Sequence, residues 1–122
     1  MSKQVLNVAF VGGGKGCYDI LHLLKSYSPV HLQTRIIGVA DINEDAIGRR
    51  YAERLSIPTK SNYKSFLQSK ELDLIIELTG NDIVLADIHT NKLDSIKILD
   101  HVGALFLWEI IAIQEEKLRL EK

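Results

Sequence analysis

The chain has 122 residues, of which 46% are hydrophobic and 25% are charged, as in an ordinary globular domain. Its 15 basic and 16 acidic residues leave a net charge of −1, so we expect neither a nucleic acid nor a membrane surface as a partner. One domain is the natural expectation for this length, and no apolar run approaches the roughly 18 residues that a membrane-spanning helix needs.

The first half of the chain alternates between strand and helix patterns. A β-rich apolar run over residues 5–11 ends at glycines and predicts a buried strand, and apolar residues at helical spacing over 16–27 predict the helix that follows. A second buried strand is predicted over 34–40. The next helix is predicted over 43–55, with Asn43 as its N-cap, because an asparagine followed by two acidic residues is typical of a helix start.

The second half continues this alternation with shorter elements. Strands that alternate with helices pair in parallel through right-handed crossovers. The predicted fold class is therefore α/β, with a Rossmann-like parallel sheet flanked by helices and a long C-terminal helix. The elements predicted in this half are an extended edge at 57–59, a short helix at 62–68, a strand at 72–78, a helix at 82–92, a strand at 95–100 and a helix from residue 103 to the end.

A glycine-rich turn lies where the first predicted strand meets the first predicted helix. Gly12 is placed at the tight turn, and Gly14, which has no side chain, allows the backbone to approach a pyrophosphate that the helix start also favours. The third glycine of this dinucleotide fingerprint would fall at Cys17, and a glycine turn without a ligand is the alternative. A Walker-type loop is disfavoured because no Gly-Lys-Ser/Thr follows. The predicted cofactor contacts here are Gly12, Gly13, Gly14, Lys15, Gly16 and Cys17.

Asp41 ends the second predicted strand, and Ile42 follows it. In a Rossmann-like fold, a carboxylate at this place accepts hydrogen bonds from the ribose hydroxyls of adenosine and repels the extra phosphate of NADP. We therefore predict NAD, or NADH, as the cofactor, with Asp41 and Ile42 among its contacts. Arg49 and Arg50 lie further along the next helix and are expected to face solvent. The alternative for Asp41 is a helix-capping role.

Polar residues also follow the remaining strands at the same edge of the predicted sheet. The loop after the third main strand is where a Rossmann-like fold passes the ribose on the nicotinamide side, and an ordinary turn is the alternative. His101, beside Asp100, can contact a ligand or act as an acid–base group, with a structural role as the alternative. Glu77 is a single carboxylate in an apolar strand near this loop. No metal-ligand spacing is present, and the predicted cofactor contacts here are Thr79, Gly80, Asn81 and His101.

Five segments within about the first 80 residues resemble the cofactor domain of the Gfo/Idh/MocA-type oxidoreductases. In that family the counterparts of Gly12, Gly14 and Asp41 contact NAD or NADP. Its catalytic lysine lies in a Glu-Lys-Pro segment where this chain has Leu-Asp-His-Val at 99–102, and its second, substrate-binding domain has no counterpart here. The resemblance implies cofactor binding without an evident lysine for hydride transfer. It covers about the first 80 residues, in the segments 7–17, 38–45, 52–58, 62–63 and 72–80.

A closer resemblance, over nearly the whole chain, is to Rossmann-like modules at the N-terminus of bacterial PAS and histidine-kinase sensor proteins. The shared motifs are the Gly-Gly-Gly-Lys-Gly-Cys turn at 12–17, the Glu-Leu-Thr-Gly loop at 77–80 and the Asp-His-Val segment at 100–102. A Trp-Glu helix that continues into a Glu/Lys/Arg/Leu-rich end is also shared. This resemblance implies a nucleotide-sensing input domain for signal transduction rather than an enzyme.

The C-terminal helix carries two apolar seams at alternating steps of four and three residues. We expect one seam to pack on the sheet and the other to be available to a partner. This predicts a homodimer through the helix, as the start of a coiled coil or signalling extension. A helix packed only on its own sheet is the alternative. We assign residues 1–103 to a Rossmann-like dinucleotide-binding domain and 104–122 to the C-terminal helix. The seams run through Ala104, Trp108 and Ile111, and through Phe106, Ile110 and Ile113.

Three functions are consistent with these patterns. They are an NAD(H)-binding regulatory or sensory module without catalysis of its own, a truncated or minimal NAD-dependent oxidoreductase, and a protein-interaction domain that has lost the cofactor. The absent lysine and substrate domain favour the first over the second, and the intact Gly12, Gly14 and Asp41 favour the first over the third. The single cysteine, Cys17, excludes an internal disulfide, and no signal peptide is visible, so a cytoplasmic protein is expected.

Overall fold

The computed structural model describes residues 4–26 and 32–120, in which strands alternate with helices throughout. The predicted α/β class, with a Rossmann-like sheet and a long C-terminal helix, is confirmed. The helices are α1 (Lys15–Ser26), α2 (Ile47–Arg54), α3 (Asp82–Asn91) and α4 (His101–Leu120), with a short 3₁₀ helix at Lys64–Gln68. The strands are β1 (Gln4–Val11), β2 (Leu32–Ala40), β3 (Thr59–Lys60), β4 (Leu74–Glu77) and β5 (Lys97–Leu99).

The five strands form one parallel sheet in the order β3-β2-β1-β4-β5. From β1 the chain builds outward through β2 to β3, and then returns to the other side of β1, where it adds β4 and β5. A parallel sheet whose order reverses in this way opens a crevice at the carboxyl ends of its strands, here between β1 and β4. The glycine turn that follows β1 therefore lies at the mouth of this crevice.

The second half of β1, Val8 to Val11, is buried on both faces because its side chains alternate between two layers of helices. Val8 and Phe10 pack on the side of α1, α2 and α4, while Ala9 and Val11 pack on the side of α3 and the 3₁₀ helix. Burial of each large apolar side chain contributes about 1.5–3 kcal/mol, which anchors the central strand that carries the turn. The helices contribute Cys17, Leu21, Ala52 and Ala104 to the first layer and Phe66, Leu67 and Ile88 to the second.

Helix α2 begins later than predicted, and the assignment of Asn43 as its N-cap is wrong. The helix starts at Ile47 and has no side-chain cap. Asn43 instead closes a turn, in which its side-chain oxygen accepts from the Asp45 N–H at 2.9 Å. The start of α2 is satisfied from outside the helix, because the Arg49 N–H donates to the Gly13 carbonyl at 2.9 Å.

Helix α4 begins at His101, earlier than predicted, directly after a β5 that is shorter than predicted. Ala104 is buried against the sheet, whereas the side chains of Phe106 and Ile113 are 68% and 65% exposed. Residue 27, the predicted end of the first helix, and residues 121–122 of the predicted C-terminal segment lie outside the described residues. No helix within 4–26 and 32–120 is both long enough and apolar enough to cross a membrane.

Candidate functional site

The turn after β1 requires glycine at its first position. Gly12 has a φ of +104°, and a Cβ there would lie 2.8 Å from the backbone carbon of Leu78 and 2.9 Å from the nitrogen of Thr79. The Gly12 N–H donates to the Ala40 carbonyl at 2.9 Å, which ties the turn to the end of β2. Conformation and lack of space both demand glycine here, in agreement with the tight turn predicted from the sequence.

Helix α2 approaches this turn more closely than a side chain would allow. A Cβ on Gly48 would lie 2.6 Å from the Gly14 carbonyl oxygen, 2.7 Å from that of Gly13 and 2.8 Å from Cβ of Cys17. Gly48 is absent from the predicted site residues, although a glycine inside a predicted helix is a signal of close packing.

Gly14 faces open space, since apart from Gly14 itself and its two chain neighbours no atom of the described residues lies within 4 Å of the position that a Cβ would take. The first hydrogen bond of α1 joins the Tyr18 N–H to the Gly14 carbonyl at 3.1 Å. The N–H groups of Lys15, Gly16 and Cys17 therefore have no acceptor within the helix. With the helix dipole, they make this a favourable place for phosphate oxygens.

The side chains of Lys15 and Cys17 lie away from this open space. The Lys15 ammonium bonds the Asp19 carboxylate at 3.1 Å, along the exposed surface of α1. Cys17 is buried in the core beneath the turn, where burial and the charge of Asp41 raise the pKa of its thiol to about 12. Any contribution of these two residues to a ligand would come from their backbone N–H groups, and the thiol is not activated for chemistry.

Asp41 places its carboxylate directly against the glycine turn. Its Oδ2 accepts from the Gly13 N–H at 2.7 Å, and its Oδ1 accepts from the Asn43 N–H at 2.9 Å. β1 and β2 are neighbours in the sheet, which brings their carboxyl ends together. Because each carboxylate oxygen accepts more than one hydrogen bond, both retain capacity for donors in the cleft.

The expectation that Arg49 faces solvent is wrong. Its side chain is only 11% exposed, and Nη1 donates to the Asp41 backbone carbonyl at 2.6 Å and lies 3.4 Å from Ser61 Oγ. The reason is the packing of α2 on the glycine turn, which directs this first-turn side chain toward the end of β2. Nε lies 3.7 Å from the Glu53 carboxylate. Arg50, as expected, is exposed.

A cleft of about 380 Å³ runs across the carboxyl ends of β1, β2 and β4. Its volume falls within the range of small-molecule sites, roughly 300–1,000 Å³. At its β2 end lie Ile42, which is 87% exposed, and Tyr63, whose hydroxyl donates to Asp87 of α3. Burial and this bond raise the pKa of Tyr63 to about 12. The lining residues that were not among the predicted contacts are Val11, Ala40, Ser61, Tyr63, Leu78 and Val84.

At the β4 end of the cleft, one buried carboxylate holds the loop that follows the strand. Oε2 of Glu77 accepts from the Thr79 N–H at 2.8 Å, from the Thr79 hydroxyl at 2.7 Å and from the Gly80 N–H at 3.1 Å. Asn81 then caps α3 by accepting from the Ile83 N–H at 2.9 Å. The predicted contact loop is therefore ordered by its own hydrogen bonds.

His101 is held by the other oxygen of the same carboxylate. Oε1 of Glu77 accepts from the His101 N–H at 3.1 Å, and the imidazole Nδ1 lies 2.6 Å away. Burial opposes the charge of Glu77, but hydrogen bonds from Thr79 and His101 outweigh it and lower the pKa of the carboxyl. The bond to Glu77 raises the pKa of His101. Sequence patterns single out both residues, but do not reveal that they pair across 24 positions.

Comparisons with known proteins identify this fold in a larger enzyme. No family model and no curated protein match the chain. Among solved structures, it is similar to homoserine dehydrogenase of S. aureus at pH 7.5, with a TM-score of 0.62 and 18% identity over 93% of this chain. Structures of that enzyme at pH 8.5 and pH 7.0 both give TM-scores of 0.59 and 18% identity. The chain spans 30–31% of the length of these proteins and has the fold of that part of them.

Proposed function

We propose that this chain binds NAD or NADH across the carboxyl edge of its sheet, as a regulatory or sensory module without catalysis of its own. The observation that carries the proposal is the bond from the Gly13 N–H to Asp41 Oδ2, at 2.7 Å, beside the open space at Gly14. A place for phosphate oxygens and a carboxylate for sugar hydroxyls are thereby adjacent. Dinucleotide recognition in this fold requires that combination.

The cleft offers a place for each part of such a ligand. The diphosphate would cross Gly14, facing the free N–H groups at the start of α1. The adenosine ribose would bond to Asp41, and its adenine would lie beside Ile42 and Tyr63. The second ribose and the nicotinamide would extend over the Thr79 loop toward β5.

The charges around Asp41 support NAD over NADP. A phosphate on the adenosine ribose would face the Asp41 carboxylate and be repelled by it. Arg49 is a cation close by, but its guanidinium is bonded to the Asp41 carbonyl and lies beside Glu53. Because the Arg49 side chain is only 11% exposed, it presents little of its guanidinium to a phosphate in the cleft.

Two features of α4 support a regulatory role. The helix begins at His101, which bonds to the same Glu77 carboxylate that holds the Thr79 loop, so the cleft and the helix share one anchor. Further along, Phe106 and Ile113 expose an apolar face of the kind that a second copy covers in a coiled coil. With the resemblance to sensor modules, these features favour a homodimer that transmits the ligand state through α4.

An oxidoreductase is the second candidate, favoured by the Glu77–His101 pair. A histidine oriented by a buried carboxylate is a common acid–base arrangement. The histidine lies after β5, where the Gfo/Idh/MocA-type oxidoreductases that the sequence resembles have their catalytic lysine. The solved structures to which the chain is similar are of homoserine dehydrogenase, and the chain spans 30–31% of their length. Hydride transfer would require a substrate site in addition to the cleft.

A thermal-shift panel of NAD, NADH, NADP, ATP, AMP and CoA tests the proposal. A ligand at about 100 times its Kd adds about 2.7 kcal/mol to the free energy of unfolding, so NAD or NADH should raise Tm clearly and NADP less. Gly14→Val should abolish the shift and leave the Tm of the free protein unchanged, because its side chain enters open space.

Three results would change this conclusion. The absence of a shift with any nucleotide would contradict dinucleotide binding and favour an interaction domain. A full Tm shift in Gly14→Val would mean that the ligand binds away from the glycine turn. Turnover of a hydroxy substrate with NAD would favour the oxidoreductase.

A further inference from the structure

Glu77 and His101 form a pair whose net charge is set by one proton. Hydrogen bonds from Thr79, Gly80 and His101 occupy both oxygens of the buried Glu77 carboxylate, so it stays ionised. Because this carboxylate accepts, His101 Nδ1 donates to it, and Nε2 is the atom that gains or loses a proton at the surface. The pair is neutral when Nε2 is protonated and carries one negative charge when it is not.

This pair lies where the second half of a dinucleotide would extend. Neighbouring strands are about 4.8 Å apart, so the end of β5, which leads into His101, lies roughly 10 Å from the end of β1. The Thr79 loop lies between them. Leu78 lines both the main cleft and an apolar cavity of about 410 Å³ that also contacts His101 and Trp108. A nicotinamide that passes Thr79 therefore comes close to the His101 ring.

We propose that the Glu77–His101 pair selects the redox form of the bound nicotinamide, an inference that rests on the dinucleotide binding proposed above. The nicotinamide ring of NAD+ is a cation, whereas the dihydronicotinamide of NADH is neutral. While His101 is protonated, its imidazolium offsets the charge of Glu77, so the site attracts the cationic ring least and the relative preference for NADH is greatest. Once the proton leaves, the negative charge of Glu77 attracts the cation, and the preference moves toward NAD+.

The other charged groups around His101 are three carboxylates and one lysine. Asp82 of α3 has its Oδ1 3.9 Å from Nε2, Asp100 precedes the histidine, and Asp19 of α1 lines the same cavity and pairs with Lys15. The three carboxylates add to the attraction for a cation, and the proton that this inference concerns is the one on His101 Nε2.

The direction and size of the effect follow from the charges. The hydrogen bond to Glu77 raises the pKa of His101, burial opposes the rise, and the charges of Glu77, Asp82 and Asp100 add to it. The change in preference is therefore expected above the ordinary histidine pKa of 6.5. Two unit charges about 7 Å apart at an effective dielectric of about 40 alter a dissociation constant roughly three- to tenfold.

The test is to measure the Kd of NAD+ and of NADH from about pH 6 to about pH 9 at constant, low ionic strength. In the parent, the ratio of the NAD+ Kd to the NADH Kd should fall roughly three- to tenfold over this range. In His101→Gln the ratio should be constant. His89→Gln, which removes an exposed histidine of α3, should follow the parent.

Calorimetry in two buffers of different ionisation enthalpy tests the same inference on the parent alone. NAD+ binding near about pH 7 should release a fraction of a proton, and NADH binding should release none. A parent ratio that is independent of pH, or a His101→Gln ratio that falls as steeply as the parent, would overturn the inference and leave dinucleotide binding intact. If neither nucleotide binds at any pH, the proposed function itself fails.

Discussion

The Gly13 N–H donates to the Asp41 carboxylate at 2.7 Å, which joins the ends of β1 and β2 through residues 28 positions apart. The same carboxylate accepts from the Asn43 N–H, so its orientation is set before any ligand arrives. Asp41 lines the cleft together with the glycine turn and Tyr63. The sugar-binding role that we propose for Asp41 therefore requires no reorientation of its side chain, and it can be tested separately from the glycine turn.

Asp41→Ala should weaken NAD binding at least about tenfold, because hydrogen bonds to a charged group are worth about 1.5–3 kcal/mol. NADP binding should weaken less, since the variant also loses the repulsion of its extra phosphate. Titration calorimetry with both nucleotides measures the difference. Asp94→Ala removes an exposed carboxylate from the loop between α3 and β5 and should bind like the parent. Equal losses for NAD and NADP would argue against a ribose contact at Asp41.

Gly48→Ala should lower the free energy of unfolding by about 1–3 kcal/mol, the usual cost of overpacking. Its Cβ would lie 2.6 Å from the Gly14 carbonyl oxygen. Helix propensity alone would give the opposite sign, a gain of up to about 1 kcal/mol. Gly16→Ala is the matched control, because its Cβ would meet Leu78 Cδ1 at an ordinary 3.7 Å and stability should hold or rise slightly. Urea unfolding that shows a gain in both variants would refute the packing of α2 on the turn.

The bond between Glu77 and His101 should make stability depend on pH. Since the folded pKa of His101 is raised above its ordinary value of 6.5, the contribution is fully present below that value and is lost as the pH rises through the folded pKa. The difference in urea midpoint between the parent and His101→Gln should therefore be largest near about pH 6 and shrink toward about pH 9. His89→Gln should track the parent at every pH. A constant difference would mean that protonation of His101 is not coupled to folding.

The exposed seam of α4 should support a homodimer in solution. Sedimentation of the parent at tens of micromolar should give the mass of a dimer, and the double variant Phe106→Lys with Ile113→Lys should give that of a monomer with unchanged helix content. Ile47→Lys, at an exposed apolar position of α2, should remain dimeric. A monomeric parent would exclude association through α4 at these concentrations.

Local sequence patterns predict the structure correctly where a segment determines its own conformation. The apolar run over 5–11 predicts a buried strand, and a strand forms over Gln4–Val11. It is buried at Val8 to Val11, whereas Val5 is 47% exposed. Glycine spacing predicts the tight turn, because glycine is the residue that readily adopts the positive φ found at position 12. The position of Asp41 at the end of β2 follows from the same reasoning, since the alternation of elements fixes which strand ends meet.

Contacts between distant segments explain what the patterns did not predict. Asn43 has the sequence context of a cap, but the packing of α2 on the glycine turn supplies the Gly13 carbonyl instead and delays the helix start to Ile47. The same packing buries Arg49. The pairing of Glu77 with His101 arises because β4 and β5 are neighbours, which becomes apparent only when the sheet order is known.

The packing of α2 on the glycine turn has a thermodynamic consequence. Gly48 lets α2 rest on the turn, and the Arg49 N–H donates to the Gly13 carbonyl, so contacts from α2 restrain a turn that three successive glycines form. Ordering a flexible loop would consume conformational entropy during association, whereas here that loss has already occurred during folding. A phosphate arriving at Gly14 would meet preorganised donors, and we expect complex formation to proceed without a large entropic penalty from the backbone.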